Sequence, residues 1–177
     1  MLSSKEKDSI VNIKYFLLLF VLLFLTGCGE GLSPGPEETV NQTGFGGTVY
    51  FKGEWPDSVK RTYIAAFRNE IQNAGDFFLQ IGFISDSIPR NTKQIIYSSQ
   101  VNPLVPIKAG QYKYIVVAQS ATDSISFLRK DWRVAGIYYM NGDSTKPGSI
   151  VLNENEFIKD INITCDFDNP PPQPPGG

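Results

Sequence analysis

Two thiols and no imidazole limit the chemistry open to this chain: Cys28 and Cys165 are its two cysteines, and histidine is absent. Without histidine there is no Ser/His/Asp or Cys/His triad, no His-bearing zinc site and no imidazole general base. Residues 28 to 177 also contain no Gly-x-Ser-x-Gly elbow, phosphate-cradling glycine loop or Ser-x-x-Lys pair. Carboxylates remain. Glu54, Asp76, Asp86, Asp123, Asp131 and Asp143 are raw material for a two-acid hydrolase, but nothing in their spacing pairs them. Asn141, Asp143 and Ser144 form one oxygen-rich stretch and Asp166, Asp168 and Asn169 another, which would suit a calcium ion. Neither has EF-hand spacing, and Asn-Gly and Asp-Asn-Pro are equally ordinary turns. Trp55 beside Pro56, with Trp132, Tyr138 and Tyr139 further on, could stack on a sugar ring or fill a core. Cys165 falls mid-strand on an apolar face, where a cysteine behaves as a small buried hydrophobe rather than a nucleophile.

The elements that would position these groups begin with a leader. Lys5, Lys7 and Lys14 precede Tyr15 to Leu25, an apolar run of eleven residues. That is shorter than the roughly 20 residues of a spanning helix and matches the core of a signal peptide. The run closes on Leu25-Thr26-Gly27-Cys28, and the whole segment resembles a bacterial lipoprotein signal with its lipobox. The resemblance implies cleavage of residues 1–27 and a diacylglycerol on the Cys28 thiol. It also implies a place in the bacterial cell envelope; Gly29 supplies no acidic retention signal, which favours the outer membrane. Buried methylenes contribute about 0.8 kcal/mol each, so two or more acyl chains hold a protein at a bilayer without a spanning helix.

Cleavage before Cys28 would leave 150 residues, enough for one domain with a proper core. Cys165 would then be the one free thiol, so stability rests on apolar burial and not on a disulfide. The leader holds three lysines and two acids, and its loss takes the formal charge from −2 to −3. That mild acidity shows neither the basic face of a nucleic-acid binder nor a polybasic lipid patch. Residues 28–43 are rich in breakers and read as a flexible tether, about 20 Å in mean reach. Residues 169–177, with Pro170-Pro171-Pro172-Gln173-Pro174-Pro175, read as a solvated polyproline II tail that prevents extension of the last strand.

Between them, residues 44–168 carry the periodicity of strands. Thr48 to Phe51 follows a glycine-rich start, and Gln111 to Ala118 reads as one central strand after Ala109-Gly110. Ile161, Ile163, Cys165 and Phe167 alternate with Asn162, Thr164 and Asp166, a period of two with one wet face, and Pro170 ends the run. Further strands are expected at Thr92 to Ser98, Val134 to Met140 and Ser149 to Leu152. Thr62 to Ala74 fits either a helix, with Ile64, Phe67 and Ile71 in phase, or a strand to Phe67 followed by a loop; the strand is preferred. Ser124 to Trp132 reads as a loop or helical turn. Strand spacing predicts an all-β fold, a single antiparallel sandwich of about seven strands, prealbumin-like or Ig-like.

The Gly-Thr-Val-Tyr-Phe opening strand, Lys60 to Phe67, Ile107 to Ala118 with its Ala109-Gly110-Gln111-Tyr112, and Ile158 to Asp166 together resemble the carboxypeptidase regulatory-like, or prealbumin-like, β-sandwich. The resemblance implies an accessory or presentation module without chemistry of its own. Physically, Gly110 suits a strand entry that needs positive φ, and Tyr112 supplies apolar area plus a hydroxyl for the rim. The expected role is a non-catalytic, lipid-anchored envelope module for protein interaction or surface presentation, with Asp76 to Asn91 and Ala121 to Trp132 as its variable loops. A carbohydrate-binding module using Trp55 is the alternative. No cofactor is expected beyond the covalent lipid, with calcium as a minor option.

Overall fold

The first and last strands of the described chain lie side by side inside one sheet, and that pairing organises everything else. The computed structural model describes residues 42–176; the leader, Cys28 and the tether up to residue 41 lie outside the described residues. Strand β1 (Gly44–Lys52) pairs on one side with β4 (Gln94–Ser98), antiparallel, and on the other with β10 (Ile163–Asp166), parallel. A short β9 (Phe157–Ile158) joins β1 on the same parallel footing, Asp160 having positive φ between β9 and β10. The path continues from β10 through β7 (Trp132–Tyr138), β6 (Tyr114–Ser120) and β2 (Arg61–Phe67) to β3 (Ile81–Ile84), all antiparallel. A separate ribbon pairs β5 (Gly110–Tyr112) with β8 (Ile150–Leu152). Among the described residues one α-helical turn, α1, spans Asp76–Leu79.

The fold is all-β and sandwich-like, but it departs from the expected antiparallel seven-stranded form. The sheets are built from ten strands, and the parallel pairing of β1 with β9 and β10 makes the larger one mixed. A parallel pair needs a long connection instead of a hairpin, here provided by the whole intervening chain. Gln111 to Ala118 is not one strand. Tyr112 packs into one core and Tyr114 into another, so the period of two breaks at Lys113 and the chain passes from the ribbon into the sheet. The Val134 and Ser149 strands do not pair with each other, because β8 belongs to the ribbon. The preferred strand at the start of Thr62 to Ala74 is present as β2, followed by a loop and α1.

Two cores share the central strands. The first gathers Phe45, Val49 and Phe51 of β1, Ile64 and Ala66 of β2, Ile115 and Val117 of β6, and Ile163 and Cys165 of β10, with Tyr112, Ile150 and Leu152 contributed by the ribbon. The second lies on the other face of β2, β6 and β7 and contains Tyr63, Ala65, Phe67, Tyr114, Val116, Ala118 and Trp132. Strands buried on both faces read as unbroken apolar runs, which is why Tyr63 to Phe67 and Tyr114 to Ala118 show so little alternation. Ile161, Ile163, Cys165 and Phe167 do alternate inward as expected. Gly110 has φ of 131°, and the Tyr112 hydroxyl donates to the Lys108 carbonyl at 2.8 Å, tying the strand entry to the rim.

The C-terminal segment is docked, contrary to the expected solvated tail. Where the β7 ladder has outrun β10, the Gln173 side chain takes the place of a strand: its Oε1 accepts from the Val134 amide at 2.8 Å and its Nε2 donates to the Val134 carbonyl at 2.9 Å. Arg129 Nη2 donates to the Pro174 carbonyl at 2.9 Å. A polar backbone pair left without partners costs about 1–3 kcal/mol. Gln173→Ala is therefore expected to lower stability by about that amount in denaturant unfolding, whereas Gln173→Glu, which keeps an acceptor but loses the donor, should fall between.

Candidate functional site

The outer face of β2 and β6 holds a depression because its sheet-facing residues are uneven in size. Ala65 and Ala118 sit where neighbouring positions carry Tyr63, Phe67 and Trp132, so the floor is low and the sides are aromatic. Ile81 and Ile84 of β3 extend one side, and Phe77 of α1 closes another, with ring centroids 5.7 Å from Phe67 and 6.1 Å from Trp132. The loop between β6 and β7 folds across the same face, bringing Phe127 to 4.7 Å from Phe78. The resulting cleft has a volume of about 250 Å³. Among its lining residues Phe127, Ile125 and Phe78 are the outermost, with 68 %, 42 % and 39 % of their surface exposed.

Most of the side-chain polar atoms around this cleft are already committed. Trp132 Nε1 donates to the Ser126 carbonyl at 2.8 Å, and the Ser126 hydroxyl donates to Asp131 while accepting from the Leu128 amide at 3.1 Å. The Tyr63 hydroxyl accepts from Arg61 Nη1 at 3.3 Å. Behind Phe77, Arg129 is buried, with Nη1 on the Trp132 carbonyl, Nη2 on Pro174 and no partner for Nε. Burial pulls this guanidinium down from its ordinary value, and its plane lies over the Phe77 ring. Arg129 thereby ties the loop, α1 and the C-terminal segment into one outer layer.

The residues singled out for sugar stacking do not form a platform. Trp132 is 8 % exposed inside the second core, and Tyr138 and Tyr139 pack against different cores. Trp55 is half-buried between Phe51 at 4.7 Å and Phe167 at 5.1 Å, and its Nε1 donates to the Thr92 carbonyl. One tryptophan edge faces an open hollow with Arg90 and Asp57. The oxygen-rich stretches serve as turns. Asp143 Oδ1 accepts from the Thr145 amide and hydroxyl, which holds its carboxyl below the usual range, and Asp166 Oδ1 accepts from the amides of Asp168 and Asn169. Asn141 adopts positive φ within a 3₁₀ turn. Among the described residues no three Cys, Asp or Glu side chains converge as metal ligands. Cys165 is fully buried, and burial pushes its thiol well up.

No family model, curated protein or solved structure matches this chain. Function is therefore read from its own geometry. The cleft residues Phe77, Phe78 and Phe127 were not singled out from sequence; the available signal was large apolar residues within the two long loops, Asp76 to Asn91 and Ala121 to Trp132. The first of these is not wholly loop, since it contains α1 and β3. Among the described residues no helix is long and apolar enough to cross a membrane.

Proposed function

We propose that this chain is a non-catalytic module of the bacterial envelope, anchored through an acylated Cys28 and recognising its partner through the outer face formed by α1 and the 121–131 loop. The supporting observation is the aromatic cleft over Ala65 and Ala118, rimmed by exposed Phe78, Ile125 and Phe127. Large apolar side chains gathered at a concave surface are the usual mark of a binding site. Loops on a rigid sheet are where such recognition resides. The anchor accords with the basic leader, the eleven-residue apolar run and the cysteine that closes it. Without histidine, and with its buried thiol held protonated, the chain offers recognition more readily than chemistry.

Metabolic labelling with an alkyne-bearing fatty acid tests the anchor. The wild-type chain should take up label and sediment with membranes, and Cys28→Ser should lose the label and keep its leader. An unlabelled wild-type chain with a free Cys28 thiol would overturn the anchored reading.

A further inference from the structure

The partner chemistry of the outer face can be narrowed by asking what its cleft leaves unsatisfied. A sugar or an extended peptide brings hydroxyls or amides that need partners when buried. The cleft wall has almost none to spare: Trp132 Nε1 and the Ser126 hydroxyl are engaged within the protein, the Tyr63 hydroxyl accepts from Arg61 and keeps only its own proton to give, and the remaining lining is Ala, Ile, Val and Phe. One phenol proton cannot satisfy the row of polar groups along a sugar or a peptide, so the complementary guest is apolar along the part it buries. A dry apolar cavity of about 150 Å³ accommodates a benzene ring, so 250 Å³ admits a longer run of methylenes. The cleft is open at the rim, as a chain with a polar end requires.

The chain outside the described residues indicates the source. Thirteen residues separate Cys28 from Gln42, where the described part begins. If Cys28 is anchored, a tether of this length keeps the domain within about 20 Å of the bilayer on average, so membrane lipid is the apolar molecule at highest local concentration. Exposed Phe78, Ile125 and Phe127 can enter the interface at the cleft mouth.

We infer that the cleft between α1 and the 121–131 loop seats one acyl chain of a membrane lipid. The source of that chain rests on the anchored reading; the apolar chemistry of the cleft does not. Trp132 reports on the site, and Trp55→Phe makes it the single tryptophan. The first measurement uses residues 28–177, which contain all of the described residues 42–176 and both of their cores, carrying Cys28→Ser so that no acyl chain is attached. Titration with stearate bearing an anthroyloxy fluorophore should give saturable energy transfer from Trp132 at one equivalent. Phe127→Asp, at an exposed rim position, should weaken binding at least tenfold, and Ile96→Asp, exposed on edge strand β4, should leave it unchanged. Absence of saturable transfer, equal binding by the Phe127 and wild-type forms, or displacement of stearate by an amphipathic peptide would overturn the assignment.

The second measurement places the acylated chain in vesicles of phosphatidylcholine brominated along its acyl chains. Trp132 emission should be quenched, and Phe127→Asp should relieve the quenching. Unquenched emission in the acylated chain, together with stearate binding by Cys28→Ser, would mean that the protein's own anchor fills the cleft, and would overturn the membrane-lipid source. Failure of the fatty-acid labelling at Cys28 is read separately and leaves the stearate titration intact.

Discussion

Stability should fall steeply above pH 10, by about 3 kcal/mol for each further pH unit, through two tyrosines. Tyr114 is 5 % exposed, and Tyr97 spends its hydroxyl on the Ile161 carbonyl at 2.7 Å. Burial is the first cause that raises both phenols, with the neighbouring Tyr138 adding to Tyr97, while Arg129 partly offsets the rise at Tyr114. An unfolded phenol ionises near pH 10. Above that pH the unfolded chain has lost these protons and the folded chain retains them, so the unfolded state is favoured by about 1.4 kcal/mol per group per pH unit. Cys165, also raised by burial, adds the same sign from about pH 9. The contribution is fully present below the unfolded pKa values and disappears as pH rises past them. Against a total stability of about 5–15 kcal/mol, the roughly 6 kcal/mol lost to the two phenols over two pH units unfolds a domain at the low end of that range and removes a large share of the stability of one at the high end. Denaturant unfolding at pH 9, 10 and 11 measures the slope. Tyr97→Phe and Tyr114→Phe should each flatten it by about 1.4 kcal/mol per unit, and an unchanged slope in both would contradict the assignment of the titrating groups.

Those same side chains show which parts of the fold sequence alone made legible. The last strand was readable because one of its faces is wet: Asn162 and Thr164 are exposed while Ile161, Ile163 and Cys165 are buried. β2 was ambiguous for the opposite reason. With Tyr63, Ala65 and Phe67 buried on one face and Ile64 and Ala66 on the other, alternation vanishes, and Ile64, Phe67 and Ile71 imitate a helix stripe. The break at Lys113 was hidden because both Tyr112 and Tyr114 are apolar enough for any interior position. The parallel β1 and β10 pair depends on two segments more than a hundred residues apart in register, such as Phe51 with Cys165, and no local pattern encodes that.

The candidate site was less legible still. Its floor comes from Ala65 and Ala118, which sit on strands, and its walls from Phe77 of the short α1 and Phe127 of the loop between β6 and β7. An alanine in a strand suggests nothing until its neighbours are known to be aromatic. The docked tail follows the same logic: Gln173 has a task only because β10 leaves Val134 without a ladder partner. Aromatic residues close in sequence are separated in space, since Tyr138 ends β7 and Tyr139 continues it in extended backbone, which sends their side chains to opposite faces.

Phe45→Ala should be among the most damaging single substitutions in the domain, at about 3–5 kcal/mol. Phe45 is fully buried at the start of β1, edge-on to Phe83 at 5.2 Å and to Tyr97 at 6.1 Å. Its backbone is fixed on both sides, by the β9 pairing and by the amide, which donates to the Ser99 hydroxyl at 2.8 Å. The sheet therefore cannot close over the space a phenyl ring vacates, and the loss includes the cavity as well as the transfer term. Aromatic edge contacts add about 0.5–1.5 kcal/mol beyond area, and two are removed together. For a domain of this size the thermal midpoint should drop by about 10 to 20 °C. Phe127→Ala removes the same ring from a side chain 68 % exposed, and should change stability by less than about 1 kcal/mol. Comparable losses for the two would place Phe127 in the folded core, not at the mouth of a binding cleft, so the pair of variants tests the core and the candidate site in one thermal series.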